Sequence, residues 1–267
     1  MDNKVISRIF GLDLMRATAI LMVVIGHCVW IVPERDSFIH QLLVLSGFFG
    51  VEIFFVLSGF LIGKILYQLY LKSDFSLATV FYFLKRRWFR TLPNYFLVLA
   101  LNLLIASIVG YAALSWWKYF FFWQNLHTTM LPFFPESWSL SVEEFAYLTL
   151  PFFLLISGSF IKPKNKSLFF LGSVLVLIVI FFCAKIGYHI TTQNTTLTQW
   201  NLSLKAVVIY RLDSIFIGVL CSWLFYQFEL LWKKYQVSVC LCVCVSVCLC
   251  VCVCVCVCLC EIGRAHV

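Results

Sequence analysis

The sequence predicts an all-α fold, a polytopic transmembrane helix bundle. Of its 267 residues, 63% are hydrophobic and only 12% charged, 28 are Phe, and the mean hydropathy is +0.97. That composition lies outside the range of a water-soluble core. Apolar runs long enough for roughly 30 Å of hydrocarbon recur along the chain. Lys and Arg gather in alternate loops between them, as expected where cytoplasmic loops retain basic residues. Six spans are expected, at about residues 9–32, 44–70, 94–113, 142–160, 168–187 and 206–231.

The first span carries its ionisable residues on one side. Arg16 and His27 are eleven residues apart, about three helical turns, and Asp13 falls within roughly 40° of His27. At about 1.5 Å per residue, His27 lies roughly 16 Å from Arg16 along the axis, so the two share a track without touching. A polar track through a membrane helix is a site hypothesis by default. With Asp13, Arg16 and His27 inside it and no small-residue cleavage site, this segment does not read as a signal peptide. The second span holds Glu52 in Gly50–Gly63, with Ser58, Gly59 and Gly63 permitting close helix approach; a paired carboxylate in a packing helix and a site role are both open.

Lys85, Arg86, Arg87 and Arg90 precede Pro93 and the third span in a segment expected to be a cytoplasmic loop. Arginine forks suit phosphate, although positive-inside topology accounts for the charge equally. The aromatic stretch Trp116–Trp123 reads as interfacial. Pro135–Tyr147 leads into the fourth span, where Ser141 and Glu144 have capping-box spacing and Glu143 is placed to project into a cavity. Arg211 and Asp213, opening the sixth, point about 200° apart, which directs each to a partner on another span.

The basic clusters Lys4/Arg8, Lys72 to Arg90, Lys162 to Lys166 and Lys233/Lys234 all fall on one side if the N-terminus is cytoplasmic. The other loops carry fewer basic residues: Arg35 with Glu34 and Asp36, then Lys118, then Lys185 and Lys205. The net charge of +8 is therefore read as topological, and no nucleic-acid partner is expected. Asn194 and Asn201 begin sequons in a loop on the opposite side.

Ten of the 13 cysteines alternate with Val or Leu between Cys240 and Cys260. Alternating GTG and TGT codons encode this pattern, and Glu261–Val267 back-translates to the start of a sequencing adapter. Residues 237–267 are accordingly expected to be a low-complexity tract and adapter-derived tail, not a domain, a disulfide framework or a metal site. Residues 1–236 form the expected domain.

Taken together, these segments resemble the acyltransferase-3 family of membrane-bound acyltransferases. The matching segments are Gly11–His27, Gly50–Ile62, Arg87-Trp-Phe-Arg90 ahead of Pro93, Trp138-Ser-Leu-Ser-Val-Glu-Glu144 and Arg211-Leu-Asp213, in family order. The resemblance implies an integral enzyme, in a plasma (inner) membrane, that moves an acyl group, often acetyl, from acyl-CoA to a hydroxyl of a glycan or lipid-linked sugar. It implies His27 as catalytic histidine, Arg16 as its partner arginine, Arg87 and Arg90 as the donor-side pair, and roles for the acidic residues Glu52 and Glu143. Acyl-CoA enters as donor substrate, with no bound cofactor or metal. About ten spans are expected of the family and six are visible, so the chain reads as an N-terminal fragment without activity of its own. A proton-coupled transporter, using the same residues as a relay, and a non-catalytic scaffold are the alternative classes.

Overall fold

In the computed structural model, residues 10–32, 37–72, 75–192 and 197–228 are described. Lys4, Arg8, Glu34, Arg35, Asp36, Asn194, Lys233, Lys234 and the 237–267 tail lie outside them. Helix α1 (Phe10–His27) is followed by α2 (Phe38–Leu71), α3 (Leu77–Val109), α4 (Trp138–Ile161), α5 (Lys166–Thr191), the single turn α6 (Leu197–Trp200) and α7 (Leu212–Gln227). Among the described residues four helical segments are long and apolar enough to cross a membrane: α2, α3, Pro135–Ile161 and α5. Helix α7 is a shorter apolar helix, and α1, with 18 residues, reaches about 27 Å.

Helix α2 is the hub. One side receives α1 through Leu12, Met15 and Ala19, the buried positions of α1, and a Cβ on Gly50 would meet the Ala19 carbonyl at 2.8 Å. The opposite side receives α7 at still closer range. A Cβ on Gly59 would run into the Ile215 carbonyl, and one on Gly218 into the Val56 carbonyl, so glycine at both positions is what lets the backbones touch. Val142, Leu150, Leu154, Val174, Ile215 and Phe216 belong to the main apolar cluster, which joins α2, α4, α5 and α7.

Several expected boundaries move: α2 starts at Phe38 and not 44, α4 at Trp138 and not 142, and two further changes bear on the site. The basic segment Lys85–Arg90 is not a loop: α3 runs unbroken through it and through Pro93. Between Leu77 and Val109 there is no glycine and no turn sequence, so only one residue argues for a break, and a helix in a membrane protein tolerates it. The helix ends instead at Gly110, in the left-handed region at φ +78°. The sixth span begins at Leu212, not 206. Asn201–Lys205 widens into a π turn, and the backbone beyond it bonds to another segment as well as to itself: Asn125 donates to the Ala206 carbonyl at 2.6 Å, and the Ile209 amide to that of Leu126 at 3.3 Å.

That other segment is the long connection from α3 to α4, which doubles back along α3. Tyr95 donates to the Tyr119 carbonyl at 2.8 Å, and Tyr95, Leu99, Tyr119, Phe122 and Met130 share one buried cluster. Where α3 and α4 meet, at Thr91 and Glu144, α3 has 18 residues left to its end, about 27 Å, while α4 has only six, about 9 Å, before its start. The connection fills the difference. Trp116, Trp117, Phe120, Phe121 and Trp123 leave their rings exposed on its outer surface, the arrangement of interfacial aromatics.

Candidate functional site

Two polar clusters lie within the bundle. The first joins α2, α3 and α4. Glu144 accepts one hydrogen bond on each oxygen, from Trp88 Nε1 at 2.9 Å and from Thr91 Oγ1 at 3.2 Å. Trp88 and Thr91 are three apart on α3, so one face of the helix presents both donors. Glu144 is therefore a buried interhelical acceptor and not half of a capping box; α4 starts at Trp138, and the Ser137 before it makes no side-chain cap. Glu143 accepts from Tyr147 Oη at 2.6 Å, one turn further along α4. Because that hydroxyl gives its proton to the carboxylate, Ser58 Oγ, 3.1 Å from Tyr147 Oη, must be the donor of that pair. Arg87 lies over the Tyr147 ring, 5.8 Å from its centroid. Arg90, one turn along, is exposed, as are Lys85 and Arg86.

The second cluster joins α2, α5 and α7. Arg211 pairs with Glu52, and Ser214 donates to the same carboxylate at 3.0 Å. Lys185 Nζ meets Asp213 Oδ2 at 2.6 Å. All four charged groups are buried, and Arg211 and Asp213 do reach different helices, as their angular separation predicts. The rings of Phe48 and Phe55 lie 5.5 and 5.7 Å from the Arg211 guanidinium. With two positive and two negative groups the cluster is neutral, and each charge has a partner at hand. Removing one member of such a pair strands the other, at about 3–5 kcal/mol. Glu52 is thus held by Arg211 and is not available to His27.

Helix α1 stands apart from both. Asp13 and Arg16 pair with each other at 3.6 Å with both side chains about half exposed, and His27 is exposed at the helix end, where no polar partner meets it among the described residues. Antiparallel packing sets their depth: Gly26 abuts Gly47 and Ala19 abuts Gly50. Continuing at about 1.5 Å per residue puts Arg16 within about a turn of Ser58, and His27 nearer the opposite end of the bundle. Arg16 and the Arg87–Glu143 cluster therefore share a level, and His27 lies beyond it.

Several contributors carried no motif signal. Tyr147 was visible only as a residue four after Glu143, Trp88 and Thr91 only as an i, i+3 pair, and Lys185 only as a stray charge in an apolar helix. Gln124 and Asn125 are fully buried in the α3–α4 connection, where Gln124 donates to Ser141 at 2.6 Å. Lys205, in the π turn, lies 5.8 Å from the ring centroids of both Phe48 and Trp138, and burial pulls its ammonium pKa down to about 8. Tyr119, behind Phe133 and Phe134, has its phenol pushed up by burial. Among the described residues no group of His, Cys, Asp and Glu side chains is placed to hold a metal ion.

Comparison with known proteins bears directly on these segments. A family model described as an acyltransferase domain matches residues 9–261. A Staphylococcus aureus (strain COL) protein, provisionally named an O-acetyltransferase, is 27% identical over 239 residues, 82% of this chain and 35% of its own length. A Bacillus subtilis protein, provisionally named a peptidoglycan O-acetyltransferase, is 31% identical over 183 residues, 62% of this chain and 27% of its own. The peptidoglycan O-acetyltransferase of Listeria monocytogenes is 29% identical over 171 residues, 58% of this chain and 25% of its own. The chain thus spans about a third or less of the length of the curated relatives it matches. No solved structure matches it. With the family model covering nearly the whole chain and the helices α1 to α4 carrying the family's segments in order, this multi-pass membrane protein belongs to the acyltransferase-3 family.

Proposed function

We propose that the protein serves O-acyl transfer in the membrane, moving an acetyl or similar acyl group from a thioester donor to a hydroxyl of a carbohydrate such as peptidoglycan. The observation that carries this reading is the meeting of Arg87 on α3 with Glu143 and Tyr147 on α4, which brings two of the family's separate segments to one place. Acyl-CoA is the donor we favour. Its phosphates suit Arg90 and the neighbouring exposed cations, while Arg87, between Tyr147 and Phe83, lies deeper and points the way inward.

In this scheme the acceptor oxygen attacks the acyl carbonyl and its proton passes to a ring nitrogen of His27. The C–S bond breaks, and the thiolate leaves and is protonated from solvent. Arg16, at the depth of the Arg87 cluster, supports negative charge on the donor side. His27 then faces the acceptor, and the roughly 16 Å between them matches a reaction whose substrates approach from opposite faces of the membrane. Retention of basic residues on the inner side supports a cytoplasmic N-terminus, and the plasma membrane is the setting we assign to this reading. The domain we assign to this activity comprises residues 1–236.

The test uses membranes containing the full-length protein, radiolabelled acetyl-CoA and a glycan acceptor. Label should enter the glycan, and the His27→Ala form should lose at least about a hundredfold of the rate, the lower range of a general base's contribution. Label transfer that survives in His27→Ala overturns the assignment of the base. Label transfer from another acetyl donor but not from acetyl-CoA overturns the donor alone. Uptake of solute without any acyl transfer favours the transporter class instead.

A further inference from the structure

Four helix ends meet around one ring. Tyr70, in the last turn of α2, lies 5.1 Å from the ring of Phe75, just ahead of α3, and 6.1 Å from that of Phe170, near the start of α5. A Cβ on Gly158, near the end of α4, would meet its hydroxyl at 3.5 Å. The Lys166 ammonium stands over the same ring at 6.0 Å and donates to the Lys72 carbonyl at 2.7 Å, across 94 residues of sequence. The α2–α3 and α4–α5 connections are thereby held side by side. Residues 72–76 and 162–166 together carry four lysines against one carboxylate, Asp74, which lies outside the described residues. Lys72, Lys162 and Lys164 are exposed.

Topology accounts for the sign of this charge but not for its company. Leu71 precedes Lys72, and Phe160 and Ile161 precede Lys162, and these apolar side chains are 44%, 83% and 64% exposed. The Ser76 before α3 makes no side-chain cap, which leaves the first amides of that helix to another acceptor. We propose that the junction binds an anionic phospholipid of the adjoining leaflet, its phosphate among Lys72, Lys162 and Lys164 and its acyl chains against Leu71, Phe160 and Ile161. The pairing selects the class. A phosphate diester answers the lysines, and only a ligand with hydrocarbon attached answers the apolar side chains next to them. Lys166, held on Tyr70 and bonded to the Lys72 carbonyl, fixes the two connections against each other and adds its charge to the field. The cations assigned to the donor lie elsewhere: Arg87 is ten residues, about 15 Å, further along α3 than its first residue, Leu77.

The experiment measures binding of fluorescent phosphatidylglycerol and of fluorescent phosphatidylcholine with the same chains to the purified full-length protein in detergent. Neither acyl donor nor glycan is present, so the outcome is independent of the acyl-transfer assay. Wild type should prefer phosphatidylglycerol by at least about fivefold, the factor that corresponds to about 1 kcal/mol for a single lysine near anionic lipid. The triple variant Lys72→Ser, Lys162→Ser, Lys164→Ser should bind the two lipids alike, while arginine at the same three positions should keep the preference. Glycerol 3-phosphate, which has the phosphate but no chains, should not displace the labelled phosphatidylglycerol at a concentration where the unlabelled lipid does. Should the triple serine variant fail to fold, the double variant Lys162→Ser, Lys164→Ser takes its place and should at least halve the preference. Equal binding of the two lipids to wild type, a preference unchanged in the serine variant, or displacement by glycerol 3-phosphate as readily as by the unlabelled lipid, each overturns the proposal.

Discussion

A single phenol ties three helices together. Tyr147 donates to Glu143 at 2.6 Å, receives a proton from Ser58 at 3.1 Å, and lays its ring against Arg87 at 5.8 Å. The direction of these bonds is fixed, since a carboxylate only accepts, and Ser58 keeps a lone pair free for another donor. Tyr147→Phe removes one hydroxyl and almost no volume, so its effect isolates the polar link. A buried carboxylate that loses a donor costs about 1–3 kcal/mol. Tyr147→Phe is therefore expected to lower the thermal midpoint of the purified protein by a few degrees while the ring continues to pack on Arg87. A midpoint equal to wild type would show that Glu143 is satisfied without it. The neighbouring Glu144 gives a control: its two donors come from α3, so Tyr147→Phe leaves them in place, and Thr91→Val should destabilise through Glu144 instead.

Between helices, the decisive contact is α2 against α7. Gly59 and Gly218 remove the side chains that would hold the backbones apart, and the Glu52–Arg211 pair then sits in the narrowed space with Ser214 beside it. In so dry a place an ion pair contributes little beyond an apolar pair of the same size, yet half a pair is severely costly. Glu52→Leu alone should lower stability by about 3–5 kcal/mol, and adding Arg211→Leu should return most of that loss. Thermal unfolding of both variants in detergent measures the difference. If the double variant is as unstable as the single, Glu52 does more than neutralise Arg211. Restored folding with lost acetyl transfer would instead give Glu52 a role at the site as well as in the weld.

For the whole molecule, much was legible from residue patterns that physics makes local. Apolar length located the helices, since hydrocarbon demands it. The 200° between Arg211 and Asp213 foretold partners on different helices, and the structure supplies Glu52 on α2 and Lys185 on α5. What escaped was set by contacts distant in sequence. The π turn and delayed start of α7 follow from backbone bonds to Asn125 and Leu126, some eighty residues earlier, which no periodicity in 201–211 reports. The fold-back of the α3–α4 connection was hidden in the same way, because its aromatic surface reads as interfacial whether it lies flat or packs along a helix. The connections also separate by position. Lys166 donates to the Lys72 carbonyl at 2.7 Å, so the basic α2–α3 and α4–α5 connections adjoin at one end. Met130 and Leu202 bring the aromatic α3–α4 and the α5–α7 connections together, whose described parts carry only Lys118, Lys205 and the Glu52-paired Arg211 as Lys or Arg residues. Retention of basic residues on the cytoplasmic side then predicts opposite exposure for the two ends. An epitope inserted after Thr128 should be reached by antibody on intact spheroplasts, and one inserted after Lys164 only after permeabilisation. The reverse pattern would invert the chain, put Arg90 on the outside where no cytoplasmic donor can reach it, and require the acyl group to come from an extracytoplasmic source.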